Sequence, residues 1–244
     1  MITATHLTCG YQRPVLRDIS FSAEKNLCIL GANGVGKSTL AKALSGLIPA
    51  EGEITINTEA LQVLSADSRA KAITYIPPKL ESFDGLISVY EFVLMGSYPY
   101  KEPFSSYNQD DETLVKKLIQ ESGLEPTRQI SELSSGQQQL LLITQAWAQQ
   151  SGIIIFDEPT ANLDPKHAQD FYDALQALPK TTQKIIITHD LNLARELSFE
   201  ILFLPNHEAK LYRDPALFFQ RENLEACYGV TFNVSDGHIG VAYD

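Results

Sequence analysis

Positive charge, cysteine and long apolar runs are all scarce in this chain of 244 residues. The richest apolar stretches, such as residues 153–156, have only the length of a strand, so we expect no helix that crosses a bilayer. The first residues lack a basic start followed by an apolar block, so we expect no export signal. Cys9, Cys28 and Cys227 lack the spacing of a metal or redox site, which predicts buried thiols in a reducing cytoplasm.

The shortage of positive charge argues against one broad class of function. The 19 Lys and Arg residues face 30 Asp and Glu residues, which gives a formal net charge of −11. A surface of that sign repels nucleic-acid phosphates, so we expect no nucleic-acid partner, although a local basic groove is not excluded. For the same reason we expect any membrane association to run through a protein partner rather than through anionic lipid.

Apolar residues make up 44% of the chain, enough for the core of one large α/β domain or two small ones. Their pattern predicts strands at 2–7, 15–21, 26–30, 53–57, 72–76, 152–157, 184–188 and 199–204, and helices at 37–44, 89–95 and 112–122, between 136 and 149, and after 164 and 190. Because strands alternate with helices, we expect a mostly parallel sheet covered on both faces. Residues 79 to about 133 predict a helical insertion.

Residues 31–39, GANGVGKST, predict a phosphate-binding loop. Gly31, Gly36, Lys37 and Ser38 meet the pattern G-x-x-x-x-G-K-[ST]. Glycines let backbone N–H groups curl around phosphate oxygens, and the following helix presents its positive end. Lys37 supplies charge for the β- and γ-phosphates, and the Ser38 hydroxyl can ligate Mg²⁺. An accidental glycine-rich turn is the alternative, which the apolar strand before the loop and the helix after it disfavour.

Three polar residues lie where apolar strands end. Asp157 and Glu158 come at the carboxyl end of a buried strand, where the ligand sites of α/β proteins lie. Asp157 can hold Mg²⁺ through water, and Glu158 can deprotonate or orient an attacking water. His189 follows another apolar strand and can reach the γ-phosphate. A solvated acidic strand end and a structural histidine are the alternatives, and the upstream phosphate loop favours the functional interpretation.

Two further segments allow more than one interpretation. Residues 133–137, LSSGQ, open a helix, so that Ser135 and Gly136 expose backbone donors to a phosphate. By helix physics alone, an ordinary serine-capped helix start is the better explanation. Tyr11 lies in a short loop between two early strands, where it either stacks on adenine or is a half-buried surface tyrosine.

Taken in order, these elements and FDEPTANLD at 156–164 resemble the nucleotide-binding subunit of ABC transporters over essentially the full length of the chain. The combination of LSSGQ with DEP is highly specific. The resemblance implies an α/β fold with a P-loop NTPase (RecA-like) core, a mostly parallel sheet, an N-terminal antiparallel β part and an inserted helical subdomain. It implies a single domain, 1–244, with its core at 1–78 plus 134–244 and the helical insertion at 79–133.

The resemblance also implies an ATPase that uses ATP with Mg²⁺, and it assigns roles by position. Glu158, His189 and Lys37 are the implied catalytic residues, and Ser38 and Asp157 are the implied metal ligands. The implied nucleotide-binding residues are Tyr11, Gly31, Ala32, Asn33, Gly34, Val35, Gly36, Lys37, Ser38, Thr39, Ser134, Ser135, Gly136, Gln137 and Asp164. In the family's terms, 31–39 is Walker A, 133–137 the signature loop and 162–164 the D-loop.

The same resemblance implies partners and a mechanism. Two subunits pack head to tail around two ATP molecules, and each ATP lies on one subunit's Walker A and under the other's signature loop. Closure on ATP and opening after hydrolysis would drive a membrane permease, as a population shift between two arrangements. The subunit would therefore lie peripherally at the cytoplasmic face of the cell membrane. A periplasmic or lipid-anchored solute-binding protein would be an indirect partner.

Two segments are similar to the subgroup that imports iron–siderophore complexes, haem or cobalamin. They are SVYEFVLMGSYPY at 88–100 and LEACYGVTF at 224–232. We therefore expect the importer of an iron chelate or cobalamin. A zinc, manganese or other small-solute importer is the alternative. A soluble ABC-type ATPase acting on ribosomes or DNA is disfavoured, because the chain has one cassette and no sustained heptads.

The chain departs from the family at the Q-loop. Pro78 stands where the family has a glutamine, and proline has no carboxamide to touch Mg²⁺ or the attacking water. Ser135 stands where glycine is commoner, although its backbone donor remains. We expect slower or differently regulated turnover, and a regulatory binder that barely hydrolyses ATP is a further alternative.

Overall fold

The computed structural model describes residues 1–80, 86–102, 105–161, 163–205, 208–235 and 238–242. Contacts divide the chain into two compact units. Unit 1 consists of Met1–Val63 and Gln183–Asp244, and unit 2 consists of Leu64–Thr182. The predicted boundaries of the helical insertion, at 79 and 133, stay a prediction.

The strands of the described residues are β1 (Ile2–Gly10), β2 (Pro14–Ala23), β3 (Leu27–Gly31), β4 (Ala50–Ile56), β5 (Glu59–Ala60), β6 (Ile73–Ile76), β7 (Ile153–Asp157), β8 (Gln183–Ile187), β9 (Glu200–Leu204), β10 (Lys210–Tyr212), β11 (Phe232–Ser235) and β12 (His238–Val241). The helices are α1 (Lys37–Leu44), α2 (Ala66–Ala72), α3 (Val89–Leu94), α4 (Gln109–Ser122), α5 (Ser135–Ala148), α6 (Pro165–Ala177), α7 (Leu191–Leu197), α8 (Pro215–Phe218) and α9 (Arg221–Tyr228). Short 3₁₀ turns cover Leu61–Val63, Met95–Tyr100 and Ile130–Glu132.

Unit 1 contains an antiparallel sheet and a mostly parallel one. The antiparallel sheet has the order β2-β1-β4-β5, and its register pairs Ile2 with both Ala23 and Ile56. In the other sheet, β3 runs parallel to β8 and to β9, and β10 pairs antiparallel with β9. Every residue of β3, β8 and β9 is buried, as expected for strands covered on both faces.

Unit 2 combines a parallel strand pair with helices whose starts are fixed by side-chain caps. β6 pairs with β7 in a register that joins Ile73 to Ile153. Reciprocal capping boxes open α3, α4 and α5, and their capping residues are Ser88, Asn108 and Ser134. Each cap supplies a partner to a backbone N–H that the helix leaves unpaired, so it sets the residue at which the helix begins.

The structure confirms the predicted α/β class, with its mostly parallel sheet, its antiparallel N-terminal part and its helices between strands. α1 spans the residues that its pattern predicts, Lys37–Leu44. Several short elements were not predicted, namely α2, α8, α9, β5 and β10 to β12. The strands among them and α8 have only 2 to 4 residues, too few for a clear apolar period. α2 has no buried residue and α9 buries only Leu224, so neither carries an apolar stripe.

Two of the three cysteines are buried, as the sequence predicts. Cys9 and Cys28 are buried and Cys227 is half-buried. Burial raises the pKa of the Cys9 thiol to about 11 and raises the pKa of the Cys28 thiol as well, because both environments disfavour a thiolate. Neither thiol is therefore suited to nucleophilic chemistry. Among the described residues, no helix has both the length and the apolarity needed to cross a bilayer.

The core of unit 2 should depend strongly on Phe171. Its ring meets Phe156 edge to face, with centroids 5.8 Å apart, and both side chains are almost completely buried. We expect Phe171→Ala to lower the free energy of unfolding by about 3–5 kcal/mol, because it removes the ring and leaves a cavity. Gln176→Ala, at an exposed position of the same helix, should change it by less than about 0.5 kcal/mol. Urea unfolding of both variants tests this, and equal shifts would contradict it.

Candidate functional site

The loop between β3 and α1 has the backbone geometry of an anion-binding turn. Gly34 and Gly36 adopt φ of +81° and +110°, which side-chain-bearing residues rarely do. The first hydrogen bond of the helix runs from Leu40 N to Gly36 O at 2.8 Å. The N–H groups of the first turn therefore lie outside the helical ladder, at the positive end of α1.

The side chain of Lys37 lies over this loop. It is only 7% exposed. Its Nζ donates to the carbonyl oxygens of Gly31 at 2.9 Å and Ala32 at 3.2 Å. The neighbouring Ser38 is exposed. The ammonium group is thus held where it can meet a phosphate chain that binds the loop.

Tyr11 stands beside the helix that follows the loop. The side chain is 61% exposed, and the Nζ of Lys42, which lies on α1, is 6.0 Å from the centre of its ring. A cavity of about 270 Å³ adjoins the ring and is also lined by Arg13 and Pro49. An exposed aromatic face beside α1 can stack on a planar base.

The backbone at His189 is anchored on both sides. Thr188 is buried, and its N–H donates to Ile29 O of β3 at 3.3 Å. Its hydroxyl accepts from the N–H of Asp190 at 3.0 Å, and Asp190 in turn caps α7 through the N–H groups of Asn192 and Leu193. His189 itself is exposed, two residues after the end of β8, and its backbone has a fixed place in unit 1.

In unit 2, a buried carboxylate ends β7. Asp157 is 1% exposed, and its Oδ2 accepts a hydrogen bond from the hydroxyl of Tyr75 on β6 at 2.8 Å. A buried charge needs such partners, because burial without them is costly. The bond also fixes the orientation of the carboxylate, as the outer partners of metal-binding carboxylates commonly do.

Glu158, the next residue, has a strained backbone. Its φ is +47°, which is unfavourable for a residue with a side chain. The Ala161 N–H closes a turn onto the Glu158 carbonyl at 3.1 Å, which helps to hold this conformation. Strained residues cluster where function requires a particular side-chain direction, so the conformation supports a functional role for this carboxylate.

The LSSGQ segment forms the start of α5. The Ser134 hydroxyl accepts from the N–H of Gln137 at 3.3 Å, and the Gln137 carboxamide oxygen accepts from the N–H of Ser134 at 3.1 Å. Arg128 also donates to that oxygen, at 3.2 Å. Gln137 therefore shapes the loop from within. In the described part of the chain, the N–H groups of Ser135 and Gly136 find no partner, so they can receive an anion.

Asp164 caps the next helix, α6. Of the predicted D-loop, Asn162 lies outside the described residues. One Asp164 oxygen accepts the His167 N–H at 2.9 Å, and the other lies 2.8 Å from His167 Nδ1. The backbone and ring N–H groups of His167 hold the pKa of the Asp164 carboxyl below its usual range. Asp164 is therefore ionised at neutral pH.

The side chains predicted to hold Mg²⁺ are oxygen donors, the kind of ligand that this ion takes. Among the described residues, no three His, Cys, Asp or Glu side chains come together as a metal site. In unit 1 the predicted donor is the hydroxyl of Ser38, and in unit 2 it is the carboxylate of Asp157. Mg²⁺ typically takes one or two protein oxygens and completes its shell with phosphate and water, so each side chain by itself suits an ion that arrives with a nucleotide.

Comparison with known proteins identifies the family. The family of ABC transporters matches residues 16–161. The achromobactin transport ATP-binding protein CbrD of Dickeya dadantii (strain 3937) is 31% identical over 88% of this chain and 82% of its own length. The chain belongs to the ABC transporter family. Another relative, the hemin import ATP-binding protein HmuV of Pseudomonas fluorescens (strain Pf0-1), is 33% identical over 92% of this chain and 90% of its own length.

Solved structures agree on the fold of this ABC cassette. A metal-chelate type ABC transporter in an inward-facing conformation superimposes with a TM-score of 0.82 over 99% of this chain and 97% of the other, at 24% identity. A dimeric bacterial ABC transporter cassette gives a TM-score of 0.74 over 87% of this chain and 98% of the other, at 24% identity. At these identities the likeness shows the fold alone.

The chain is thus an ATP-binding cassette with ATPase activity, while the roles of its individual residues stay predictions. Unit 1 holds Tyr11, Walker A and His189, and unit 2 holds Asp157, Glu158, the signature loop and Asp164. The sequence reasoning missed three side chains that position this ABC site, namely Tyr75, Arg128 and His167. Only His167 carried a signal, because a residue three positions after a helix cap commonly returns to the cap.

Strain at Glu158 gives a prediction about stability. With φ positive, glycine should fit this position better than alanine, so we expect Glu158→Gly to be more stable than Glu158→Ala by about 1 kcal/mol. At Lys117, an exposed position inside α4, the order should reverse, with glycine less stable than alanine by about 1 kcal/mol. Urea midpoints of the four variants decide it. Alanine more stable than glycine at both positions would show that Glu158 is not strained.

Proposed function

We propose that this ABC ATPase energises a membrane importer of an iron chelate, either a siderophore complex or haem, with cobalamin as a related cargo. The observation that carries the proposal is the extent of the likeness to importer subunits. The relatives named for achromobactin transport and hemin import match across more than four-fifths of their own length and of this chain. The iron(3+)-hydroxamate import ATP-binding protein FhuC of Bacillus subtilis (strain 168) is 31% identical over 83% of this chain.

Within one subunit, different residues bind the triphosphate and act on it. Residues 31–39 bind the phosphates through backbone N–H groups, and Lys37 neutralises their charge. Ser38 and Asp157 would hold Mg²⁺, which would supply charge stabilisation to the triphosphate. Glu158 orients and deprotonates the attacking water, and His189 contacts the γ-phosphate. The buried, hydrogen-bonded Asp157 and the strained Glu158 support these roles.

The second half of each site comes from a second copy of the chain. The N–H groups of Ser135, which is exposed, and of Gly136, which is buried, lie in the first turn of α5, and the dipole of a helix of 14 residues favours an anion there. Two copies packed head to tail would place this helix start over the nucleotide on the partner's Walker A. ATP would then bring the copies together, and hydrolysis would let them part.

The remaining partners follow from the importer role. A permease in the membrane carries the cargo, and this subunit attaches to its cytoplasmic side as a peripheral protein. A solute-binding protein delivers the chelate to the permease from outside and does not touch this chain. The net charge of −11 supports attachment through protein rather than through acidic lipid headgroups.

The assignment of Glu158 can be tested by separating binding from hydrolysis. We expect Glu158→Gln to bind ATP as the natural chain does and to lose at least about a hundredfold in turnover, because the amide cannot accept a proton. Lys37→Ala should instead weaken ATP binding itself. Equilibrium nucleotide binding and steady-state phosphate release measure the two effects. A Glu158→Gln subunit that hydrolyses ATP normally would rule out its catalytic role.

Pro78 supplies a second test. It is exposed just after β6, where the family's glutamine would lie. We expect Pro78→Gln to raise steady-state turnover by up to about tenfold, the value of one additional hydrogen bond near the reaction. Pro77→Gln, at the neighbouring position, is the matched control and should not raise it. A rate unchanged by Pro78→Gln would show that this position does not limit turnover.

The importer role itself is tested by the partner and the cargo. The natural chain, tagged and solubilised from its own membrane, should copurify with a multi-helix permease. Cells that lack the chain should lose uptake of a ferric siderophore, of haem or of cobalamin. Loss of zinc or manganese uptake alone would favour the alternative cargo. Purification without a permease, or with ribosomes, would reject the proposal.

A further inference from the structure

The ring of His167 fills the space beside Gly136 in the signature loop. A Cβ built on Gly136 would lie 2.1 Å from Cδ2 of His167 and 2.3 Å from its Cγ, distances that no real contact allows. Any side chain at position 136 would therefore displace the imidazole. Gly136 is buried by this contact, although it lies in the first turn of α5. The glycine is thus required by its neighbour.

The ring cannot move away easily, because Asp164 holds it. The carboxylate binds His167 twice, through the backbone N–H at 2.9 Å and through Nδ1 at 2.8 Å. Both atoms belong to the first turn of α6, and Asp164 is its cap. Since Asp164 accepts from Nδ1–H, the opposite edge of the ring, which carries Nε2 and Cδ2, faces Gly136. The imidazole is therefore fixed between the two loops.

These contacts join two segments that the sequence motifs treat separately. Gly136 belongs to the signature loop and Asp164 to the D-loop, and both lie in unit 2. The side chain of His167 is 29% exposed, so more than two-thirds of it is enclosed by these surroundings. A displacement of either loop must move the ring and hence the other loop, because close-packed groups transmit displacement.

We propose that His167 is a positioning residue that locks the signature loop and the D-loop into one geometry for the nucleotide held by a second copy of this chain. The inference rests on the proposed function, since it needs a dimer that closes on ATP. His167 does not touch the nucleotide. It acts by keeping the N–H groups of Ser135 and Gly136 in place, and it should matter for closure of the dimer and not for ATP binding by one subunit.

The test uses Glu158→Gln as the common background, so that ATP is bound and not consumed. Two quantities are measured, namely ADP affinity of the single subunit and the ATP concentration that half-converts subunits to dimers in sedimentation. We expect His167→Ala to raise that ATP concentration at least about tenfold, because the signature donors lose their fixed place. ADP affinity should stay within about twofold. Gln169→Ala, at an exposed position of the same helix, should change neither.

Two further variants of His167 separate the contact with Gly136 from the contact with Asp164. His167→Asn keeps a donor for Asp164 and removes the ring, and His167→Phe keeps a ring and removes the donor. For both variants, the ATP concentration that half-converts subunits to dimers should lie between the values for the Glu158→Gln background and for His167→Ala. Urea midpoints check that every variant is folded, and His167→Asn keeps the test valid if His167→Ala does not fold.

The decisive comparison is a double-mutant cycle between Gly136 and His167. In the Glu158→Gln background, Gly136→Ala should prevent dimerisation because its methyl group displaces the ring. When His167 is already alanine, adding Gly136→Ala should raise the required ATP concentration by a much smaller factor, since the clash is gone. If Gly136→Ala raised the required ATP concentration by the same factor with histidine and with alanine at position 167, the inference would be overturned. It would also be overturned if His167→Ala dimerised at the same ATP concentration as the Glu158→Gln background. If Glu158→Gln itself fails to dimerise with ATP, the proposed function fails instead.

Discussion

Backbone N–H groups that helices leave outside their own hydrogen-bond ladder are the basis of the proposed nucleotide site. α1 and α5 each begin with such groups, and in each case a glycine lets another part of the chain come close. A Cβ on Gly36 would meet Val15 and Leu16 of β2 at 2.9–3.2 Å, and a Cβ on Gly136 would meet the His167 ring. Anion binding and tight packing therefore place the same demand on these positions, and glycine alone satisfies both.

The groups proposed to act on the γ-phosphate are held in place by side-chain hydrogen bonds and by the backbone conformation. Asp157 is buried and its carboxylate is held by the Tyr75 hydroxyl, so its orientation is fixed before any ligand arrives. Glu158 is held in a backbone conformation that costs stability. His189 stands at the surface, between the anchored Thr188 and Asp190. Pre-set side chains of this kind lower the cost of reaching a productive arrangement.

The sequence predicted those elements whose formation depends on neighbouring residues in the chain. Buried parallel strands such as β3 and β7 are continuous apolar runs, and α1 follows from a glycine-rich loop and a clear helical pattern. Strict spacing marks residues 31–39 as a predicted phosphate-binding loop, whereas residues 133–137 are assigned to nucleotide binding only by the resemblance to the family. The contacts of Tyr75 with Asp157 and of His167 with Gly136 join positions that are 82 and 31 residues apart, and no local pattern encodes such pairs.

The short C-terminal strands were also not predicted from the sequence. β11 and β12 pair antiparallel. The carboxamide of Asn192 on α7 donates to the carbonyl oxygen of Ile239 in β12 and accepts from its N–H. A four-residue strand has too few residues for its period to be read from sequence, so tertiary contacts decide its existence. The similarity of residues 224–232 to an importer subgroup located this region without predicting its structure.

We propose that each ATP is bound by Walker A of one copy and by the signature loop of the other. Mixing two inactive subunits shows whether the two copies share their sites. One carries Lys37→Ala and keeps its signature loop, and the other carries Gly136→Asp, whose carboxylate repels phosphate, and keeps its Walker A. If the sites are shared, mixed dimers contain one intact site and recover ATP hydrolysis that neither parent shows. Mixed dimers that form and remain inactive would contradict the account.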